Sequence, residues 1–229
     1  MKGKRNNLTV ELEAKAERKT KRRLPATLNR VEAFRDQIPT ILIVCEGQNT
    51  EPSYFKQFQL ASIRVKYVGE GYNTLSLVNR TLELSEQEDY EQVWCVFDKD
   101  DFRDFTAAIQ RAQHLKFFVA YSNQAFEYWI LLHFLDHQGG KMNRSDYNKR
   151  INKLLKPHNV HYDGNGKKLV SKELFDLMYD IDRTTRKPRI TLAIERAKRN
   201  DQMHMDVDPA KAESSTTVYL LVEELLKYD

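Results

Sequence analysis

Three carboxylates stand where apolar runs give way to polar residues. Glu46 follows Ile41-Leu42-Ile43-Val44-Cys45, and Asp98 and Asp100 follow Val93-Trp94-Cys95-Val96-Phe97. Hard oxygen donors with no histidine in the motif select Mg²⁺ or Mn²⁺ over zinc. Without a cation such a gathering is costly, because like charges raise one another's pKa. Two apart, Asp98 and Asp100 fall on the same side of an extended chain, so Glu46, Asp98 and Asp100 are the candidate metal ligands. An acid after a strand is also a common helix cap, a role that suits Asp101 before a helix over 102–112.

Glu127 sits in Phe126-Glu127-Tyr128-Trp129. An acid among aromatics is unusual unless it is paired or liganded. It is a candidate for holding a second ion or for orienting water, against the plainer role of an acid at a helix amino end. Glu46, Asp98 and Glu127 are thus the catalytic candidates. Glu51, Asn123 and His133 are candidates for supporting them, although Glu51 could serve only the helix dipole. His133 and His137 share a helix face, but Phe134 occupies the place of the glutamate that a zinc-protease motif needs. His133 therefore reads as a core or supporting histidine.

Elements of alternating type must position these groups. Ile41 to Cys45 is a continuous β-branched run, the mark of a strand buried on both faces. Thr50 to Phe58 reads as a helix start, Ile63 to Val68 as a second strand, and Thr74 to Ser85 as a helix. A third strand spans Gln92 to Phe97, a third helix carries Phe105, Ala108, Ile109 and Ala112, and Phe117 to Tyr121 is a fourth strand ending in Ser122-Asn123. Strands separated by helices require crossovers. The expected fold is therefore α/β, a mainly parallel four-stranded sheet flanked by helices, with functional groups at the carboxyl ends of the strands. An aromatic-rich helix follows over Phe126 to Leu135. Beyond residue 140 the pattern turns helical: Tyr147 to Leu155, Lys172 to Tyr179, Ile190 to Lys198, and a stripe of Val218, Leu221, Val222 and Leu225. The expected organisation is an arm over 1–36, an α/β core over 37–138, and a helical region over 139–229 that packs on the core.

The 229 residues carry a formal charge of only +4, but residues 1–30 hold ten basic against three acidic residues. That arm, Arg22 and Arg23 included, suits phosphate backbones, or is a solvated tail. A second basic run, Arg183, Arg186, Lys187, Arg189, Arg196, Lys198 and Arg199, reads as a nucleic-acid contact surface or as a solvated face. Trp94 and Trp129 read as core. No apolar stretch approaches a membrane span, and the amino terminus is no secretory signal. Cys45 and Cys95 inside apolar runs suit free thiols in a reducing cytosol, so a cytoplasmic location is expected. No Gly-x4-Gly-Lys-Ser/Thr is present, so the chain does not hydrolyse ATP by a P-loop.

Taken together, several blocks resemble the RloB-like family. They are Ile41 to Glu51 with Tyr54-Phe55, Val96-Phe97-Asp98-Lys99-Asp100, Ser122-Asn123 through Phe126-Glu127 to Phe134, and Asp208-Pro209 to Leu225 with Ser215-Thr216-Thr217-Val218. Gln124-Ala125 departs from the Pro and small residue expected there, which touches the loop's shape and leaves the acid in place. The resemblance implies a Toprim-like core, in which a Glu follows the first strand and an Asp-x-Asp the third, matching Glu46, Asp98 and Asp100. It implies a Mg²⁺- or Mn²⁺-dependent nuclease for RNA (tRNA among the options) or DNA, acting in antiphage defence beside an ABC/AAA-type ATPase. A non-catalytic docking subunit of such a complex is the alternative. A phospho-acceptor receiver domain ranks last, since only Glu46 fills the acidic pair it needs after its first strand.

Overall fold

The computed structural model describes residues 40–61, 63–67, 74–100 and 103–229. The expected arm, with Arg22 and Arg23, lies outside them. Residues 38–229 form one compact unit.

Four parallel strands follow from the apolar runs: β1 (Ile41–Cys45), β2 (Ile63–Tyr67), β3 (Gln92–Asp98) and β4 (Phe118–Asn123). All five β1 side chains are inaccessible. A strand with no polar face can only be central, and the order β2-β1-β3-β4-β5 places it there. Successive side chains alternate between two layers. Ile41, Ile43 and Cys45 meet α1 (Thr50–Phe55) through Tyr54 and Phe55, and share that core with α4 (Glu127–Leu132). Leu42 and Val44 meet α2 (Thr74–Ser85) and α3 (Phe105–His114) through Leu77, Val78, Phe105 and Ala108. Each such buried aliphatic side chain contributes roughly 1.5–3 kcal/mol.

The C-terminal region adds α5 (Arg144–Leu155), α6 (Lys172–Tyr179), α7 (Arg189–Gln202) and α8 (Val218–Leu225), all sharing the first core with α1 and α4. The sheet also has a fifth strand that the periodicity does not announce. β5 (Ser215–Thr216) runs antiparallel to β4, pairing Ser122 with Thr216 and Asn123 with Ser215. Two residues are too few to show a period of two. Hydroxyls do the work that apolar alternation does elsewhere. Thr216 Oγ1 donates to the Tyr121 carbonyl at 2.9 Å, and Thr217 Oγ1 accepts from the Tyr121 N–H at 2.9 Å. The open edge of β4 is thereby closed.

The connections decide where a site can form. From β1 the chain leaves through α1, on one face, to β2; from β3 it leaves through α3, on the other face, to β4. The carboxyl ends of β1 and β3 therefore flank a topological switch point, where an open parallel sheet leaves a crevice. No helix among the described residues is long and apolar enough to cross a membrane. Cys45 and Cys95 are buried free thiols.

Candidate functional site

Glu46 and Asp98 occupy the two lips of this crevice. The Glu46 N–H donates to the Val96 carbonyl at 2.9 Å, carrying the β1 ladder one residue past the strand. Its carboxylate then reaches back over β3, where Oε2 accepts from the Asp98 N–H at 3.3 Å. Glu46 Oε1 is buried without a partner among the described residues. Burial, with the charges of Glu51 and Asp104, raises the Glu46 carboxyl from 4.5 to about 7, although the Asp98 N–H and Arg144 pull the other way.

Two further acids close on the same point. Asp98, the last residue of β3, is raised by burial and then by Glu51 and Glu127, against Arg144 and the Phe126 N–H. Glu51, in the first turn of α1, is raised to about 7 by burial and Glu127. It comes in over the turn that follows β1, and a side chain at Gly47 would stand 2.6 Å from Glu51 Oε2. Glycine is what lets the carboxylate lie there. Glu127 opens α4, nearly buried, and accepts the Tyr162 hydroxyl at 2.9 Å on Oε1.

Asp100 does not follow Asp98 inward. β3 ends at Asp98, and Asp100 takes a left-handed φ of 40°. The expected same-side placement holds only in extended chain, and the strand stops too soon. Asp100 instead forms an ion pair with Arg144, the first residue of α5, while Lys99 Nζ donates to its carbonyl at 3.2 Å. Asn123 ends β4 with Nδ2 donating to the Pro209 carbonyl at 2.9 Å, and its Oδ1 is buried without a partner among the described residues. His133 lies six residues beyond Glu127, about 9 Å along a helix axis. It is fully buried, with Nδ1 2.9 Å from the Trp129 carbonyl, and burial depresses it to about 3. It is a neutral core histidine.

Four contributors escape sequence reasoning. Tyr162, fully buried in the loop after α5, joins Glu127 to Thr50, whose Oγ1 is 3.2 Å from its hydroxyl. Asn152 of α5 fixes Tyr162 twice, accepting its N–H at 2.9 Å and donating to its carbonyl at 2.8 Å. Arg144 acts on Glu46, Glu51 and Asp98, and Lys168 on Glu51. No described strand leads directly into these residues, so no carboxyl end points to them. The only signal was their type, a basic or phenolic residue in a polar segment.

The second basic run is largely committed internally. Arg189 is 3% exposed, which corrects its reading as a contact for nucleic acid. It donates to the Leu177 carbonyl at 3.3 Å and lies 5.8 Å from the Phe134 ring centre. Lys187 pairs with Glu195, Lys198 with Glu223, and Arg199 with Asp136. Arg183 and Arg186 are exposed.

Among the described residues no group of three or more His, Cys, Asp or Glu side chains stands ready to hold a metal ion. Mg²⁺ seldom needs one. It takes one or two carboxylates and fills its octahedron with water and substrate phosphate. Glu46, with a buried oxygen that has no partner among the described residues, and Asp98, whose N–H it accepts, fit that demand. Asp100, neutralised by Arg144, does not offer its charge as it stands.

No curated protein and no solved structure matches this chain. The sequence model of one family, described as RloB-like protein, matches residues 41–225, which takes in both lips of the crevice, Tyr162 and β5. The chain therefore belongs to the RloB-like family.

Proposed function

We propose that this protein is a Mg²⁺- or Mn²⁺-dependent nuclease, hydrolysing phosphodiesters of RNA, tRNA included, or of DNA. The observation that carries the reading is the gathering of three buried acids, Glu51, Asp98 and Glu127, and the half-buried Glu46 around the β1/β3 switch point, with one Glu46 oxygen buried and unpartnered among the described residues. Glu46, Glu51 and Asp98 are held above their ordinary pKa by burial, and acids so held are costly as structure and useful as a site. A Glu after β1 and an Asp after β3 is also the Toprim-like arrangement that the family resemblance implies.

Glu46 and Asp98 would hold the ion, which when bound supplies Lewis acidity and lowers the pKa of water. The other residues have their own tasks. Glu127, oriented through Oε1 by Tyr162, keeps Oε2 to accept a proton from the attacking water. Glu51 adds charge that favours a cation. Glu127 is itself nearly buried, which keeps bulk water from it. Within the same proposal the chain works as the effector of an antiphage system beside an ABC/AAA-type ATPase.

Asp98→Asn should abolish cutting of RNA and DNA by the purified chain, alone and with its ATPase, in Mg²⁺ or Mn²⁺, while the melting temperature is kept. Undiminished cutting by the variant would overturn the proposal. A second reading, a non-catalytic docking subunit, has the Arg144–Asp100 ion pair in its favour, since one acid is already neutralised. It predicts no cutting under any of these conditions and an intact complex with the ATPase.

A further inference from the structure

Four acids and a hard cation leave open how a polyanion is drawn to this crevice. We infer that Arg144 and Lys168 form its phosphate-binding rim, Arg144 exchanging Asp100 for a substrate phosphate, an inference that rests on the reading of the carboxylate site above. Arg144 enters from α5, outside the sheet. It pairs with Asp100, two residues past Asp98, and its charge also acts on Glu46, Glu51 and Asp98. Yet its side chain is 44% exposed. It is both at the acids and open to solvent, where a planar fork of donors can grip phosphate in two places.

Lys168 stands at the end of a turn that is rigid for stated reasons. Asp163 accepts the N–H groups of Gly166 at 2.9 Å and Lys167 at 3.0 Å, and its carbonyl accepts that of Lys168 at 2.9 Å. Lys168 takes a left-handed φ of 52° and forms no ion pair among the described residues, and two residues on the Val170 N–H donates to Ser53 Oγ of α1, the helix that carries Glu51, at 2.9 Å. Tyr162, just before the turn, is bonded to Glu127. The segment that orders an acid thus also carries to the rim an ammonium that is unpaired among the described residues. The Arg183–Arg199 run offers less, because Arg189 is buried and Lys187, Lys198 and Arg199 are paired.

The test is binding, not cutting. Fluorescein-labelled single-stranded RNA is titrated with the full-length protein in EDTA across a range of salt. Each phosphate contact contributes roughly 0.7 to the slope of log affinity against log salt on single strands, so Arg144→Gln/Lys168→Gln should lower the slope by about 1.4. Asp100→Asn, which frees Arg144, should tighten binding. A merely structural ion pair predicts no tightening. Should the double variant melt early, Lys168→Gln alone carries the test, with a fall of about 0.7. An unchanged slope, or a slope lost in Arg183→Gln/Arg186→Gln instead, overturns the inference. Asp98→Asn should still bind this RNA, so failure of the rim and failure of the nuclease reading are separate results.

Discussion

Glu46→Gln should stabilise the metal-free protein, and by an amount that depends on pH. The folded state raises this carboxyl from 4.5 to about 7, so it holds the proton more tightly than the unfolded chain does. The associated stability is full below about pH 4.5 and is lost as pH rises towards 7. At about 1.4 kcal/mol for each tenfold change, the full loss is roughly 3 kcal/mol. Partial solvent access screens some of it, leaving about 1.5–3 kcal/mol. Glutamine does not ionise and can still accept the Asp98 N–H, so the variant escapes this loss. Its advantage should be near zero at about pH 4.5 and should grow to that full amount by about pH 8. For a unit of this size each kcal/mol moves the melting temperature by about 2–4 °C, giving roughly 3–12 °C by scanning calorimetry in EDTA. The neutral His133, which favours higher pH, is common to both proteins and cancels. Mg²⁺ should narrow the gap at high pH by stabilising only the protein that keeps the carboxylate. A constant gap between the two pH values would refute the account of a carboxylate kept from its charge by burial.

Tyr162→Phe should cost about 1.5–3 kcal/mol in chemical denaturation, because Glu127 Oε1 and the Thr50 hydroxyl lose a buried partner. A change below about 0.5 kcal/mol would mean that water replaces the hydroxyl. Arg189→Ala should lower stability by about 2 kcal/mol, through the lost bond to Leu177 and the lost Phe134 contact, and leave the salt dependence of RNA binding unchanged.

The central strands were plain in the sequence because burial on both faces leaves an unbroken apolar run, and β1 and β3 are such runs. Their ends then located Glu46 and Asp98 without any coordinates. Helix α6 was legible to the residue, its Leu174, Phe175 and Met178 forming a stripe at helical spacing. Asp100 shows the limit of that logic: a two-residue offset specifies a direction only while the strand persists. β5 was hidden because its hydroxyls, not an apolar alternation, hold it. Arg189 was misread because a run of charges gives no sign of which member turns inward. Arg144 and Tyr162 reach the site by tertiary packing alone, and only a structure places them there.

The hydrogen bond between Thr50 and Tyr162 spans 112 residues of chain. A ribosome adding roughly 5–20 residues per second needs about 6–22 seconds to cover that interval. Within it Asp98 joins Glu46 and Thr50, while the phenol that completes the pocket has yet to be translated. β5, which closes the sheet edge beside Asn123, comes later still. The acids are thus synthesised early and organised late, so that the order of synthesis itself delays assembly of the finished crevice.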